Sequence, residues 1–304
     1  MSTLNVDDQQ GRWAIPGRVT WRSGNSGMPC LTIASAASEA ELYLQGAHLT
    51  RFKRLDEPAV LFTSAQSRFQ PGQPIRGGVP IIFPWFGNRE GSPAHGLART
   101  APWRVIETSA SLAGFTQVRL ACDAASHEAV PFSLVFVVSV GESLRMELIT
   151  TNRSADAPFK FEDCLHTYFT VGAIESARVA GLRGVRYLDK TDAFAEKEER
   201  QDAIAIVSET DRVYQDTVAT VEILDPVLKR RIRIAKTGSR STVLWNHWIA
   251  KAKQLSDFGD EEYRGMVCVE SGNVGRDAIS LPPGASHSLG VEVTVVSADP
   301  NPRS

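Results

Sequence analysis

Alternation of apolar and polar residues with a period of two is the feature that most limits what this chain can fold into. Leu144, Met146 and Leu148 alternate with Arg145 and Glu147; Ile232 and Ile234 stand between arginines; Val291, Val293 and Val295 repeat the pattern near the end. Successive side chains of a strand point to opposite faces, so each such run reads as a half-buried strand. Further β-like runs cover 30–34, 41–44, 59–63, 115–121, 132–140, 218–224, 242–245 and 266–269, separated by Gly, Pro, Asn, Asp and Ser clusters. Helical periodicity is confined to a short segment at 250–258, and the charge run 196–200 reads as a solvated face or loop. Strands do not alternate with helices, which argues against a parallel α/β sheet. The expectation is an all-β fold, a large antiparallel β-sandwich formed by 1–304 as one domain, with 1–10 and 298–304 as flexible tails.

Composition narrows the function classes. Lys+Arg 33 against Asp+Glu 35 gives a net charge of -2, without the bulk positive field of a nucleic-acid binder. The longest apolar stretch, 129–140, is broken by Ser133 and Ser139 and falls short of the ~20 residues that span a bilayer. Residues 1–10 are polar and acidic, unlike a signal peptide. Cys30, Cys122, Cys164 and Cys268 lie far apart and read as buried, reduced thiols. Together these features lead us to expect a cytoplasmic protein that binds neither membrane nor nucleic acid.

The common signatures of cofactor chemistry are absent. The chain has no G-x-G-x-x-G, no G-x-x-x-x-G-K-[ST], no G-x-S-x-G and no H-E-x-x-H. The expectation is therefore no cofactor and no metal, leaving acid–base chemistry or plain binding. His166, in Phe161-Glu-Asp-Cys-Leu-His-Thr-Tyr-Phe169, would share a strand face with Cys164 and Tyr168, and an imidazole exchanges protons near neutral pH. Its structural alternative is a buried histidine bonded to backbone. Glu270 closes the apolar run Met266-Val-Cys-Val269 before Ser-Gly-Asn, a strand-to-loop junction of the kind that carries catalytic groups; the alternative is a surface glutamate at a turn. Arg76, beside Gly77 and Gly78, and Arg99, after His95-Gly-Leu-Ala, offer forked donors for a phosphate or carboxylate, whereas Arg89 beside Glu90 reads as a surface ion pair. Asp211 could hold sugar hydroxyls or simply pair with Arg212. Trp245-Asn-His-Trp248 supplies aromatic surface for a sugar face, or core.

Taken in order, Arg76-Gly-Gly-Val-Pro, Phe83-Pro-Trp-Phe-Gly, His95-Gly-Leu-Ala-Arg99, His166-Thr-Tyr-Phe, Thr210-Asp-Arg-Val-Tyr, Trp245-Asn-His-Trp and Val269-Glu270 resemble the glucose-6-phosphate 1-epimerases. These hexose-6-phosphate mutarotases belong to the aldose 1-epimerase, or galactose mutarotase-like, superfamily. The likeness covers about residues 40–295, with one departure at Ala94, where the family carries Gln before His-Gly. It implies a β-supersandwich, monomeric and cofactor-free, acting on a small-molecule hexose phosphate. It also implies His166 as general acid, Glu270 as general base, and Arg76, His95, Arg99 and Asp211 as substrate contacts. The competing expectations are an aldose 1-epimerase of neutral sugars, or a sugar-phosphate-binding protein without turnover.

Overall fold

A computed structural model describes residues 11–122 and 131–297. The two segments expected to be flexible tails, 1–10 and 298–304, lie outside the described residues. Two large antiparallel sheets dominate, one of nine strands and one of eight, beside a four-stranded sheet and a two-stranded one. The nine-stranded sheet takes the strongest alternating runs. Leu144–Asn152 lies between Phe132–Val140 and Ser286–Ser297, which in turn pairs with Arg230–Thr237. Along Leu144–Asn152 the residues Leu144, Met146 and Leu148 are buried while Arg145 and Glu147 are exposed, as the period of two requires. These side chains join Leu244, Val267, Val269 and Phe169 of the eight-stranded sheet in one apolar core. The fold is the expected all-β antiparallel sandwich.

The eight-stranded sheet positions the site. Its order runs Ala195–Glu198, Arg186–Asp189, Thr210–Tyr214, Ser241–Asn246, Met266–Asn273, Asp163–Leu165 and Ile81–Ile82, with Tyr168–Thr170 also paired to Met266–Asn273. All eight residues of Met266–Asn273 are buried, so this strand is covered on both faces. Among the described residues no helix is long and apolar enough to cross a membrane. All four cysteines are buried, as expected.

One local expectation is narrowed and three need correction. Of the two readings of 196–200, the solvated face holds and the loop does not: Ala195–Glu198 is an edge strand paired to Arg186–Asp189, with Glu196 and Glu198 exposed. Residues 59–63 form only isolated bridges, Leu61 with Phe169 and Thr63 with Gly77. The helix occupies Trp248–Ala252 and ends well before 258. The strand expected over 266–269 runs on to Asn273, which puts Glu270 inside a strand and not at its end. The last point follows from packing. A Cβ on Gly272 would meet the Asp163 carbonyl oxygen at 2.4 Å, so the residue that reads as a strand breaker is what lets Asp163–Leu165 pair so closely.

The loop that carries His95 and Arg99 turns on Gly96, whose φ is +75° and whose missing Cβ would lie 2.0 Å from the Phe83 carbonyl oxygen. An L-residue in this left-handed region costs about 1–2 kcal/mol before any clash. Gly96→Ala is therefore expected to lower unfolding stability by more than ~2 kcal/mol, read as a lower urea midpoint at unchanged m-value. A midpoint equal to that of the native chain would show that Phe83 is not held there.

Candidate active site

Pairing register puts the functional side chains on one face of the eight-stranded sheet. Directly opposed residues share a face, and Asp211 opposes Trp245, which opposes Cys268, which opposes Tyr168. In the next row Val213 opposes Val243, which opposes Glu270, and Gly272 opposes Cys164 beyond it. Loops from the first third of the chain roof this face and leave a cavity of about 690 Å³. All six residues singled out from sequence, Arg76, His95, Arg99, His166, Asp211 and Glu270, line it.

His166 and Glu270 meet in that cavity, Nε2 to Oε1 at 3.2 Å, with side-chain exposures of 8% and 1%. The second carboxylate oxygen of Glu270 accepts from the Cys164 thiol at 3.6 Å. His166 does not sit within one continuous strand; Asp163–Leu165 and Tyr168–Thr170 are separate strands, and His166 lies in the break between them. Its backbone N–H donates to the Pro80 carbonyl at 3.0 Å, and its ring stacks on Tyr168 at 4.9 Å, which fixes its direction. Burial, then the nearby His95, Arg99 and Arg76, hold the His166 pKa well below the ordinary imidazole value. Burial, with Asp211 adding to it, pushes the Glu270 carboxyl well above the usual carboxylate range. Both groups thus resist carrying charge.

His95 stands in the left-handed region at φ +64° and accepts a hydrogen bond from Gly87 N–H on Nδ1 at 3.3 Å. Burial, followed by Arg99, lowers its pKa to about 3, so the ring is neutral and its proton is on Nε2. The guanidinium of Arg76 pairs with Asp257 at 3.1 Å and donates to the Tyr168 hydroxyl at 3.4 Å. Lys190 pairs with Asp211 at 2.8 Å. The alternative pairing of Asp211 with Arg212 does not occur, because neighbouring strand residues face opposite ways; Arg212 reaches Glu199 at 2.9 Å. Arg99 donates to the Ala94 carbonyl at 2.6 Å and has no carboxylate within salt-bridge distance among the described residues. Burial lowers its pKa to about 10, which still leaves it charged near neutrality. Ala94, the one departure from the motif, thus serves Arg99 through its backbone.

Several contributors escape sequence reasoning. Lys190 and Asp257 lie in segments with no chemical signature, and only the fold brings them to Asp211 and Arg76. Glu162 accepts from Phe86 N–H at 2.8 Å and from Gly275 N–H at 2.6 Å, joining two loops of the rim. His166, Cys268 and Glu270 also make the one group of metal-competent donors found among the described residues, with ligand atoms within 4.8 Å of one another.

The large antiparallel sandwich is a galactose mutarotase-like fold. It superposes on the crystal structure of a Salmonella typhimurium "putative mutarotase" with a TM-score of 0.86 at 27% identity, covering 94% of this chain and 96% of that one. The family model of aldose 1-epimerase matches residues 29–294. Proteins named "Putative glucose-6-phosphate 1-epimerase" are 34% identical in Cenchrus ciliaris, over 81% of this chain and 78% of that one. The Salmonella typhimurium protein of that name is also 34% identical, over 77% of this chain and 79% of its own. The chain belongs to the aldose 1-epimerase family.

The raised Glu270 pKa makes a stability prediction. Below the ordinary value of 4.5 the carboxyl is protonated in both folded and unfolded chains. As pH rises above it, the unfolded chain ionises while the buried group resists, so stability is lost until the folded pKa is passed. Above about pH 4.5, Glu270→Gln is expected to gain on the native protein as pH rises, by up to ~1.4 kcal/mol per pH unit until the folded pKa is passed. His166 is present in both proteins, so its own titration largely cancels in the difference. A difference in unfolding free energy that stays flat over this range would contradict the assignment.

Proposed function

We propose that this chain, as one β-sandwich domain, interconverts the α and β anomers of a hexose 6-phosphate, with glucose 6-phosphate as substrate. The observation that carries the reading is the 3.2 Å contact between His166 Nε2 and Glu270 Oε1. Opening a cyclic hemiacetal takes a proton from O1 and gives one to the ring oxygen O5. Both oxygens are attached to C1, so the acid and the base must lie side by side, and this pair does. With its single proton on His166, the pair opens the closed ring: Glu270 takes the O1 proton, the C1–O5 bond breaks, and His166 protonates O5. The product is an open aldehyde, neutral His166 and protonated Glu270, the charge state that burial favours. Rotation about C1–C2 presents the other carbonyl face. On reclosure O5 attacks C1 and returns its proton to His166, while Glu270 protonates O1.

The roof supports a phosphate. Asp257 compensates Arg76 and Asp211 compensates Lys190, but Arg99 keeps its charge, which suits a dianionic group. His95 Nε2 and Asp211 are left to hold hydroxyls. The names of the curated relatives agree with this substrate class.

The test follows α/β exchange of glucose 6-phosphate by NMR. His166→Ala and Glu270→Ala are each expected to slow exchange by about 10²–10⁴-fold; a folded variant with the native rate would remove that residue from the reaction. Arg99→Ala is expected to act mainly on KM, by roughly ten- to a hundred-fold, because the phosphate is remote from C1 and is held alike before and during ring opening. Equal kcat/KM for glucose and glucose 6-phosphate would favour a neutral-sugar 1-epimerase, and the absence of any exchange would favour a binding protein.

A further inference from the structure

We propose that His166, Glu270 and Cys268 form an inhibitory Zn2+ site, in which the ion captures the two groups that face each other at the cavity floor. The donors are those zinc prefers: an imidazole nitrogen, a carboxylate oxygen and a cysteine sulfur. Their ligand atoms already lie within 4.8 Å of one another. Zinc bonds of ~2.0–2.3 Å in a tetrahedron put neighbouring ligand atoms roughly 3.3–3.8 Å apart, and His166 and Glu270 stand at 3.2 Å. Closing the thiol side by about an ångström completes three corners. The strand makes this possible, since Cys268 and Glu270 are two residues apart on one face of Met266–Asn273. The fourth corner opens on the cavity, which His166 and Glu270 line.

Charge points the same way. Glu270 and Cys268 are both fully buried, and burial raises the pKa of each well above its ordinary value. A divalent cation compensates a carboxylate and a thiolate together and leaves a neutral site. Binding releases the Cys268 thiol proton and the single proton held between His166 and Glu270. The other ring nitrogen, His166 Nδ1, is buried without a hydrogen-bond partner. It therefore lacks the orienting acceptor that strengthens metal-bound histidines by about 10–100-fold. The site accordingly suits a reversible inhibitor that a chelator removes. That occupancy blocks turnover rests on the anomer-exchange reading; the site itself does not.

The experiment titrates untagged, full-length protein, freed of metal by chelation and dialysis, with Co2+ as a coloured substitute for Zn2+. Native protein is expected to show intense tetrahedral Co2+ absorption with a thiolate charge-transfer band, and Zn2+ should displace both. Cys268→Ala should lose the charge-transfer band and Cys164→Ala should keep it; where Cys268→Ala fails to fold by circular dichroism, Cys268→Ser carries the same expectation. In the exchange assay, micromolar Zn2+ should inhibit, EDTA should reverse it, and Cys268→Ala should need at least ~10-fold more Zn2+. A Co2+ spectrum that stays that of the hydrated ion, or equal Zn2+ sensitivity in the Cys268 variant, would overturn the site. Cobalt bands in a protein without anomer exchange would uphold the site and overturn the catalytic reading. An active enzyme without those bands would overturn the site alone.

Discussion

A carboxylate buried in the middle of a strand is the constraint around which this molecule is arranged. Glu270 belongs to a strand with no exposed residue, and water cannot solvate its charge. Burial of an ionised carboxylate is tolerable only where partners replace the water. Here each oxygen has its own: the His166 ring on one, the Cys164 thiol on the other. To bury that strand on both faces, the nine-stranded sheet must cover one side and the roof loops the other. The same covering that raises the Glu270 pKa therefore also shapes the cavity, where the proposed reaction takes Glu270 as its base.

Sheet and loops divide the chemistry between them. The sheet face contributes Glu270, Asp211 and Trp245, whose relative positions follow from backbone pairing and tolerate little displacement. The roof contributes Arg76, His95 and Arg99 from backbone that turns on glycines. Of its two guanidinium groups Arg99 alone is held by a backbone carbonyl instead of a carboxylate, so the roof can receive an anion without first breaking an ion pair. In the proposed reaction the base thus sits on the stiff element, and recognition of the distal group on the more adaptable one.

How much of this could be read from residues depended on whether the signal was local. The run Phe132–Val140 matches its expected bounds, because the apolar side chains that define it also form its buried face. Ala195–Glu198 was illegible as a strand: at the sheet edge its side chains are half-buried or exposed, so only backbone pairing makes it one. Ser271-Gly272-Asn273 misled for the opposite reason, since turn-type residues there serve close packing against Asp163–Leu165. Among the site residues, His166 and Glu270 stand in distinctive motifs. Their contact, and the pairing of Lys190 with Asp211 and of Arg76 with Asp257, come from positions remote in the chain, which no period or motif encodes.

The Glu162 carboxylate acts as a strut across the cavity mouth. Its two oxygens hold the amides of Phe86 and Gly275, residues 76 and 113 positions away in the chain. Because both amides hang on one side chain, neither loop can widen the mouth without breaking a bond to that carboxylate or carrying the other loop with it. Lengthening either loop alone would strain the opposite wall, so the aperture is a property of the pair of loops. Changes of aperture are therefore expected to need matched changes at both ends of the strut, far apart in the gene and adjacent only in the folded chain.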